Sequence, residues 1–150
     1  MPRHDDGEVG FDVPRDWDNR TLVAYAAPQR PGQEQAANLV VSRERLPEGE
    51  GLEGYAARQL AELAERLEDF QLLAQGGREL GGQPALSLRF SSQGRDGRFE
   101  QTLVLAAVGR RVFAFTMSAP ERDVAQVGPL FERMLASVRF PTPARAGDAR

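Results

Sequence analysis

The sequence predicts an α+β fold: one domain, built on a largely antiparallel, twisted β-sheet of about six to seven strands with two main α-helices. Three observations lead there. Short segments alternate apolar and polar residues, the signature of strands. Two longer segments place apolar residues at helical spacing instead. Most strand segments are joined by links too short for a crossover helix, so neighbours run antiparallel. The 150 residues suit a single domain. A chain of that size buries roughly two thirds of its unfolded surface and needs no disulfide or metal to fold.

The elements follow in order. Residues 1–7 read as a flexible N-terminal tail, and "EVGFDVP" (8–14) alternates Val9, Phe11 and Val13 as a first strand, stopped by Pro14. "RDWDN" is a turn-rich link around the only tryptophan. "TLVAYAAP" (21–28) and "ANLVVSRERL" (37–46) are the next two strands, separated by the polar turn "QRPGQEQ" and ended by "PEGEG". A helix spans about 51–68, with Ala56, Leu60, Leu63, Ala64 and Leu67 on one stripe and Gln59 on its shoulder. "FQLLAQGGREL" (70–80) is a strand whose Gly-Gly predicts a bulge or bend. "PALSLRFSSQ" (84–93), "RFEQTLVLAAV" (98–108) and "VFAFTMSA" (112–119) form a meander through the turns "GRDG" and "GRR". The last helix covers 120–137 and is expected to break or kink at Gly128-Pro129. Residues 8–140 are therefore the domain, and 141–150 a Pro/Gly-punctuated, flexible tail.

Composition excludes several chemistries. There is no cysteine, so there is no thiolate nucleophile, disulfide framework or Cys-ligated zinc. There is no lysine: all 19 basic residues are arginine, which removes a Schiff base and a P-loop lysine. The one histidine, His4, lies in a polar stretch and reads as solvated. The net charge of −3 argues against a nucleic-acid binder. "MPRHDDGEVG" carries acid where a signal peptide needs an apolar run. Apolar runs such as "TLVLAAV" fall far short of the roughly 18 residues of a membrane span. A cytoplasmic protein that does not insert into membranes is expected.

Motifs that suggest chemistry have plainer readings. "GGRELGG" (76–82) lacks a phosphate-loop pattern and lies between strands, with no helix N-terminus to hold an anion. Asp16 and Asp18, and Glu48, Glu50 and Glu53, sit in turns or a first helical turn, where acid suits the helix dipole. No nucleophile–base pair is visible. An enzyme is not expected, nor are catalytic residues, a metal or a cofactor. An Asp/Glu-dependent hydrolase would require a pocket of converging carboxylates. Several strands are apolar on both sides. Either the helices cover both faces, or one face is kept for a partner.

The succession "FDVPRDWDNRTLVAY", "ANLVVSRERL", "GYAARQL", "GGQPALSLRFSSQGRDGRFEQTLVL", "VFAFTMSAP" and a last helix ending "SVRF" resembles the DcrB-related family. Within it the chain looks most like the Eag chaperones of bacterial type VI secretion. "VVSRE", "YAARQL" and the "GR" hairpin are the most specific parts, and the match runs over about residues 8–140. The resemblance implies a PsbP-like fold and a cytoplasmic, homodimeric chaperone. It implies a client too: the N-terminal hydrophobic transmembrane segments of a PAAR-containing effector, shielded from water until loading on the secretion spike. Carried over by position, it implies partner-binding roles for Leu22 and Ala24, for Asn38, Val40 and Ser42, and for Gln59, Leu63 and Leu67 on the helix. Phe99, Gln101 and Phe113 complete the implied groove. Ala24 is smaller, and Leu63 bulkier, than the resemblance leads one to expect. The alternative reading is a general DcrB-like or PsbP-like interaction module not tied to type VI secretion.

Overall fold

The computed structural model describes residues 1–29, 31 and 36–141. Its frame is a six-stranded antiparallel sheet. Strands β3 (Val23–Ala26), β4 (Asn38–Arg45), β5 (Gln71–Leu80), β6 (Gln83–Gly94), β7 (Gly97–Val108) and β8 (Arg111–Pro120) are arranged in the order β3-β4-β8-β7-β6-β5. Two further strands, β1 (Arg3–Asp5) and β2 (Gly10–Asp12), form a separate hairpin. Helix α1 (Leu52–Arg66) follows β4, and a 3₁₀ turn (Glu121–Asp123) leads into α2 (Val124–Ala136). The predicted class is the observed one.

β5 to β8 are consecutive hairpins, so their pairing is local. The β5–β6 loop is Gly81-Gly82, both at positive φ (+57° and +83°), as a two-residue hairpin turn requires. A Cβ on Gly81 would stand 2.8 Å from the Phe140 ring and 3.1 Å from the Val138 carbonyl oxygen, whereas one on Gly82 would meet open space. Gly81→Ala is therefore expected to lose the left-handed strain of about 1–2 kcal/mol plus the clash, and Gly82→Ala the strain alone. Urea unfolding of the two variants separates these contributions.

β7 is the centre of the core. Leu103, Val104, Leu105 and Ala106 are all buried, which requires a layer on each side of the sheet. Leu103 and Leu105 join Leu88, Phe90 and Val112 under Tyr55 and Ala56 of α1. Val104 and Ala106 join Leu80, Ala85 and Met117 under Leu135 of α2. The two helices thus lie on opposite faces.

Three local expectations differ from the structure. The N-terminal stretch read as a tail contains β1, which pairs with β2 and is tied by an Arg3–Asp12 ion pair at 3.2 Å. The bulge in β5 lies between Leu72 and Ala74, while Gly76 and Gly77 pair regularly with Ser87 and Leu86. Glycine tolerates a bulge but does not demand one. α2 runs through Pro129. The preceding Gly128 has no Cβ to clash with the proline ring, and the Ala125 residue whose carbonyl loses its helical donor is exposed to water. Of the flexible tail read at 141–150, residues 142–150 lie outside the described residues.

Candidate functional site

α1 rests on β6 and β7 and leaves the rest of its face of the sheet uncovered. The helix has two working edges. Ala56 and Leu60 look towards β5 and β6, where they line a hollow of about 300 Å³ with Gly76 and Gly77. Tyr55, Gln59, Leu63 and Leu67 look the other way, over β7, β8 and β4. The space under this second edge is a cleft of about 480 Å³. Its floor is Ser42 of β4, Ala114 and Thr116 of β8, and Gln101, Leu103 and Leu105 of β7.

The register explains why these floor residues meet. Ser42 pairs with Ala114, which pairs with Leu105, so one row across the sheet is Ser42–Ala114–Leu105. The next row is Val40–Thr116–Leu103, and the next Asn38–Ser118–Gln101. In an antiparallel ladder, residues directly opposite share a face. The third row is polar, and two of its members bond each other: the Gln101 amide Nε2 donates to Ser118 Oγ at 2.8 Å. The first two rows are mainly apolar or small. The Gln59 amide, by contrast, has no hydrogen-bond partner among the described residues and is only partly buried.

Five of the residues assigned from the sequence therefore share one cleft: Ser42, Gln59, Leu63, Leu67 and Gln101. Val40 and Asn38 continue the floor across β4, and Ala24 pairs with Val40 on the edge strand β3. Leu22 precedes β3 on the same alternation and is 62% exposed. Phe99 is on this face of β7 as well, one row beyond Gln101, opposite Ser92 and Pro120. Phe113 is not with them. It alternates to the α2 face, where its ring packs on Phe140 at 5.1 Å and Arg43 lies over it at 5.3 Å. The groove positions on β8 are Ala114 and Thr116.

One polar contact closes the end of the cleft. The Tyr55 hydroxyl donates to the Glu44 carboxylate. Burial first, and then this hydrogen bond, push the Tyr55 phenol above its ordinary pKa range, so it stays protonated as a donor. Arg58 lies over the Tyr55 ring at 5.0 Å and is held by Glu50 at 2.9 Å, and the guanidinium draws the Glu50 carboxyl below its usual pKa. Arg20 and Arg66 stand at the rim. The far end of α1 is pinned too. Arg98 bonds the Asp69 carboxylate at 2.7 Å, the Asp69 carbonyl at 2.9 Å and Ser91 Oγ at 2.8 Å. A rigid wall over a half-open apolar floor can bury an elongated apolar ligand. Among the described residues no cluster of three or more His, Cys, Asp or Glu could hold a metal. A larger hollow of about 590 Å³ lies between the β1–β2 hairpin and residues 13–21. It has mostly exposed loop walls, including Trp17, and holds none of the assigned residues.

The sequence model of the DcrB family matches residues 8–137. The chain belongs to the DcrB family. Among solved structures, this DcrB-family chain is similar to the Pseudomonas aeruginosa protein of unknown function PA94, with a TM-score of 0.79 at 20% identity, covering 96% of this chain and 99% of that one. It is similar to the cyanobacterial PsbP protein CyanoP of Synechocystis sp. PCC 6803, with a TM-score of 0.51 at 15% identity over 84% and 95% of the two chains. A third likeness is LpqN, involved in cell envelope biogenesis of Mycobacterium tuberculosis, with a TM-score of 0.54 at 14% identity over 80% and 84%. These likenesses establish the PsbP-like fold. No curated protein matches the sequence.

Proposed function

We propose that this DcrB-family protein is a cytoplasmic, homodimeric chaperone or adaptor, not an enzyme. It binds the N-terminal transmembrane helices of a PAAR-containing type VI secretion effector and shields them until the effector is loaded on the spike. The carrying observation is the uncovered floor beside α1, which joins Ser42, Gln59, Leu63, Leu67 and Gln101 in one cleft. Strands lie about 4.8 Å apart, so β3, β4 and β8 offer a floor of roughly 10 Å, close to the diameter of one helix, about 10–12 Å. An apolar helix laid there trades water for Val40, Ala114, Thr116 and the Leu63–Leu67 edge, at about 25 cal/mol per Å² of apolar surface removed from water. The free Gln59 amide can hydrogen-bond a small polar group of that helix. No described helix of the chain itself is long and apolar enough to cross a membrane.

Val40→Arg and Gln59→Leu test this reading. Both side chains are only partly buried, so both variants are expected to keep the wild-type circular dichroism spectrum. Val40→Arg places a charge on the floor and is expected to weaken co-purification of a co-expressed effector fragment at least about tenfold, equivalent to ~1.4 kcal/mol. Gln59→Leu is expected to weaken it less. Full retention by both variants would remove the cleft as the client site. The family match also supports a broader reading, an interaction module with no tie to type VI secretion. Capture of soluble partners, with none bearing transmembrane segments, would favour it.

A further inference from the structure

The cleft beside α1 is mainly apolar along its floor and basic at its ends, in a chain whose net charge is −3. Arg20, Arg43 and Arg66 border it. Arg43 turns to the opposite face, where its guanidinium lies over the Phe113 ring. Arg66, exposed in the last turn of α1, forms no ion pair among the described residues. Arg20 stands 3.6 Å from the Asp18 carboxylate, but Arg111 holds the same group at 3.1 Å, so one negative charge serves two guanidiniums. Among the described residues the only acid lining the cleft is Glu44, and its carboxylate already accepts the Tyr55 hydroxyl. The fold sets the two arginines apart. Through Asp18, Arg20 belongs to the Arg111 end of the sheet, one pair beyond Glu44–Val112. α1 leaves that end at Tyr55 and finishes at the other, where the Gln93 N–H bonds the Glu68 carbonyl just past the helix. Tyr55 to Arg66 covers about 16 Å of helix.

We propose that Arg20 and Arg66 select the occupant of the cleft: an apolar helix flanked by acidic residues is taken, and one with basic flanks is rejected. This rests on the chaperone reading and names which helices the chaperone accepts. The apolar floor discriminates poorly between one apolar helix and another, because the burial of apolar surface is non-directional. Charge at the two ends does discriminate. Helices bound for a membrane carry Lys and Arg beside their cytoplasmic ends. Arg20 and Arg66 set like charge against such flanks, and a repulsive element of this kind gives specificity that attraction alone does not. Aspartate or glutamate in the same places meets a complementary charge. Arginine lays a long apolar stem along a surface and keeps its head in water. From the two ends of the cleft the heads can therefore reach the flanks of a helix of about 20 residues, roughly 30 Å long.

Probe helices that differ only in their flanks test this. Each is a run of about 20 Leu, Ala and Ser residues fused to a soluble protein and bordered at both ends by Asp-Asp, Asn-Asn or Lys-Lys. Each is synthesised beside the full chain in a membrane-free translation reaction, so that no bilayer competes, and the probe retained on the purified chain is measured. The wild type is expected to retain the Asp-flanked probe at least about fivefold better than the Lys-flanked one, with the Asn-flanked probe between them, as two exposed charge contacts allow. In about 1 M NaCl, where the screening length falls to about 3 Å, the preference is expected to shrink. Both arginines are exposed, so their replacement is expected to leave the circular dichroism spectrum unchanged. The double variant Arg20→Glu/Arg66→Glu is expected to reverse the order of the probes, and Arg20→Gln/Arg66→Gln to level it. If the glutamate variant fails to fold, the glutamine variant decides alone. Equal retention of all the probes by the wild type, or an unchanged order in the glutamine variant, would overturn the selection and leave the chaperone reading standing. Retention of none of them would overturn both.

Discussion

Phe90→Ala is expected to lower the free energy of unfolding by about 3–5 kcal/mol. Phe90 is 1% exposed, the largest of the fully buried side chains. Its ring lies 5.4 Å from that of Phe70, tilted by 33°, so truncation also removes an aromatic pair. Phe90 sits beneath α1 and forms part of the inner wall of the cleft, between Leu67 above and Gln101 beside it on β7. The cavity left behind has little means of collapse, because α1 is pinned beyond its C-terminus by Arg98 and Asp69. For a domain of this size the loss shifts the melting temperature by roughly 6–20 °C. Thermal melts followed by circular dichroism measure it, and a shift of only a degree or two would show that α1 settles onto the floor.

Tyr55→Phe is expected to cost about 1–3 kcal/mol near neutral pH, the penalty of leaving the Glu44 carboxylate without its donor. Tyr55 is 4% exposed, so water does not readily replace the hydroxyl. The loss depends on pH in a defined direction. The folded protein holds the phenol above its ordinary pKa, so the associated stability is fully present below about pH 10, where the unfolded tyrosine is also protonated. As pH rises further, the unfolded chain ionises first and that stability drains away. The phenylalanine variant lacks this component. The gap between wild type and variant should therefore narrow above pH 10, in urea titrations at stepped alkaline pH. A gap that widens there would contradict the buried, donating phenol.

Much of this architecture can be read from residue pattern. Leu86, Leu88 and Phe90 alternate cleanly with Ser87 and Arg89, and the hairpin turns punctuate them, so β6 and its neighbours follow directly. Gln59, Leu63 and Leu67 stand on one helical edge by periodicity, and that edge does form the cleft wall. β8 is where periodicity loses its meaning. "VFAFTMSA" is apolar on both sides because α2 covers one face and the other floors the cleft, so alternation has no sign. The family resemblance implies a groove role for Phe113, yet register with β4 and β7 gives that face to Ala114 and Thr116. Tyr55 and Glu44 escape for a related reason. Tyr55 lies on α1 outside the stripe of Ala56, Leu60, Leu63, Ala64 and Leu67, and Glu44 lies on β4. Only the fold brings them together across 11 positions. β1 has no apolar residue at all and exists through its pairing with β2.

The strand order has a consequence for how the protein is made. β4 borders β8 on its inner side, and β8 is completed only at Pro120. A ribosome working at about 5–20 residues per second needs roughly 4–15 seconds to pass from the end of β4 to that point. During this interval α1 has left the exit tunnel while the floor beneath its Gln59–Leu67 edge is still unbuilt. The apolar strand β4 spends it with β3 as its only lateral neighbour. The cleft is therefore a property of the nearly finished chain. Premature termination anywhere before β8 yields not a weaker version of the cleft but an exposed, adhesive hairpin and a helix with nothing to cover.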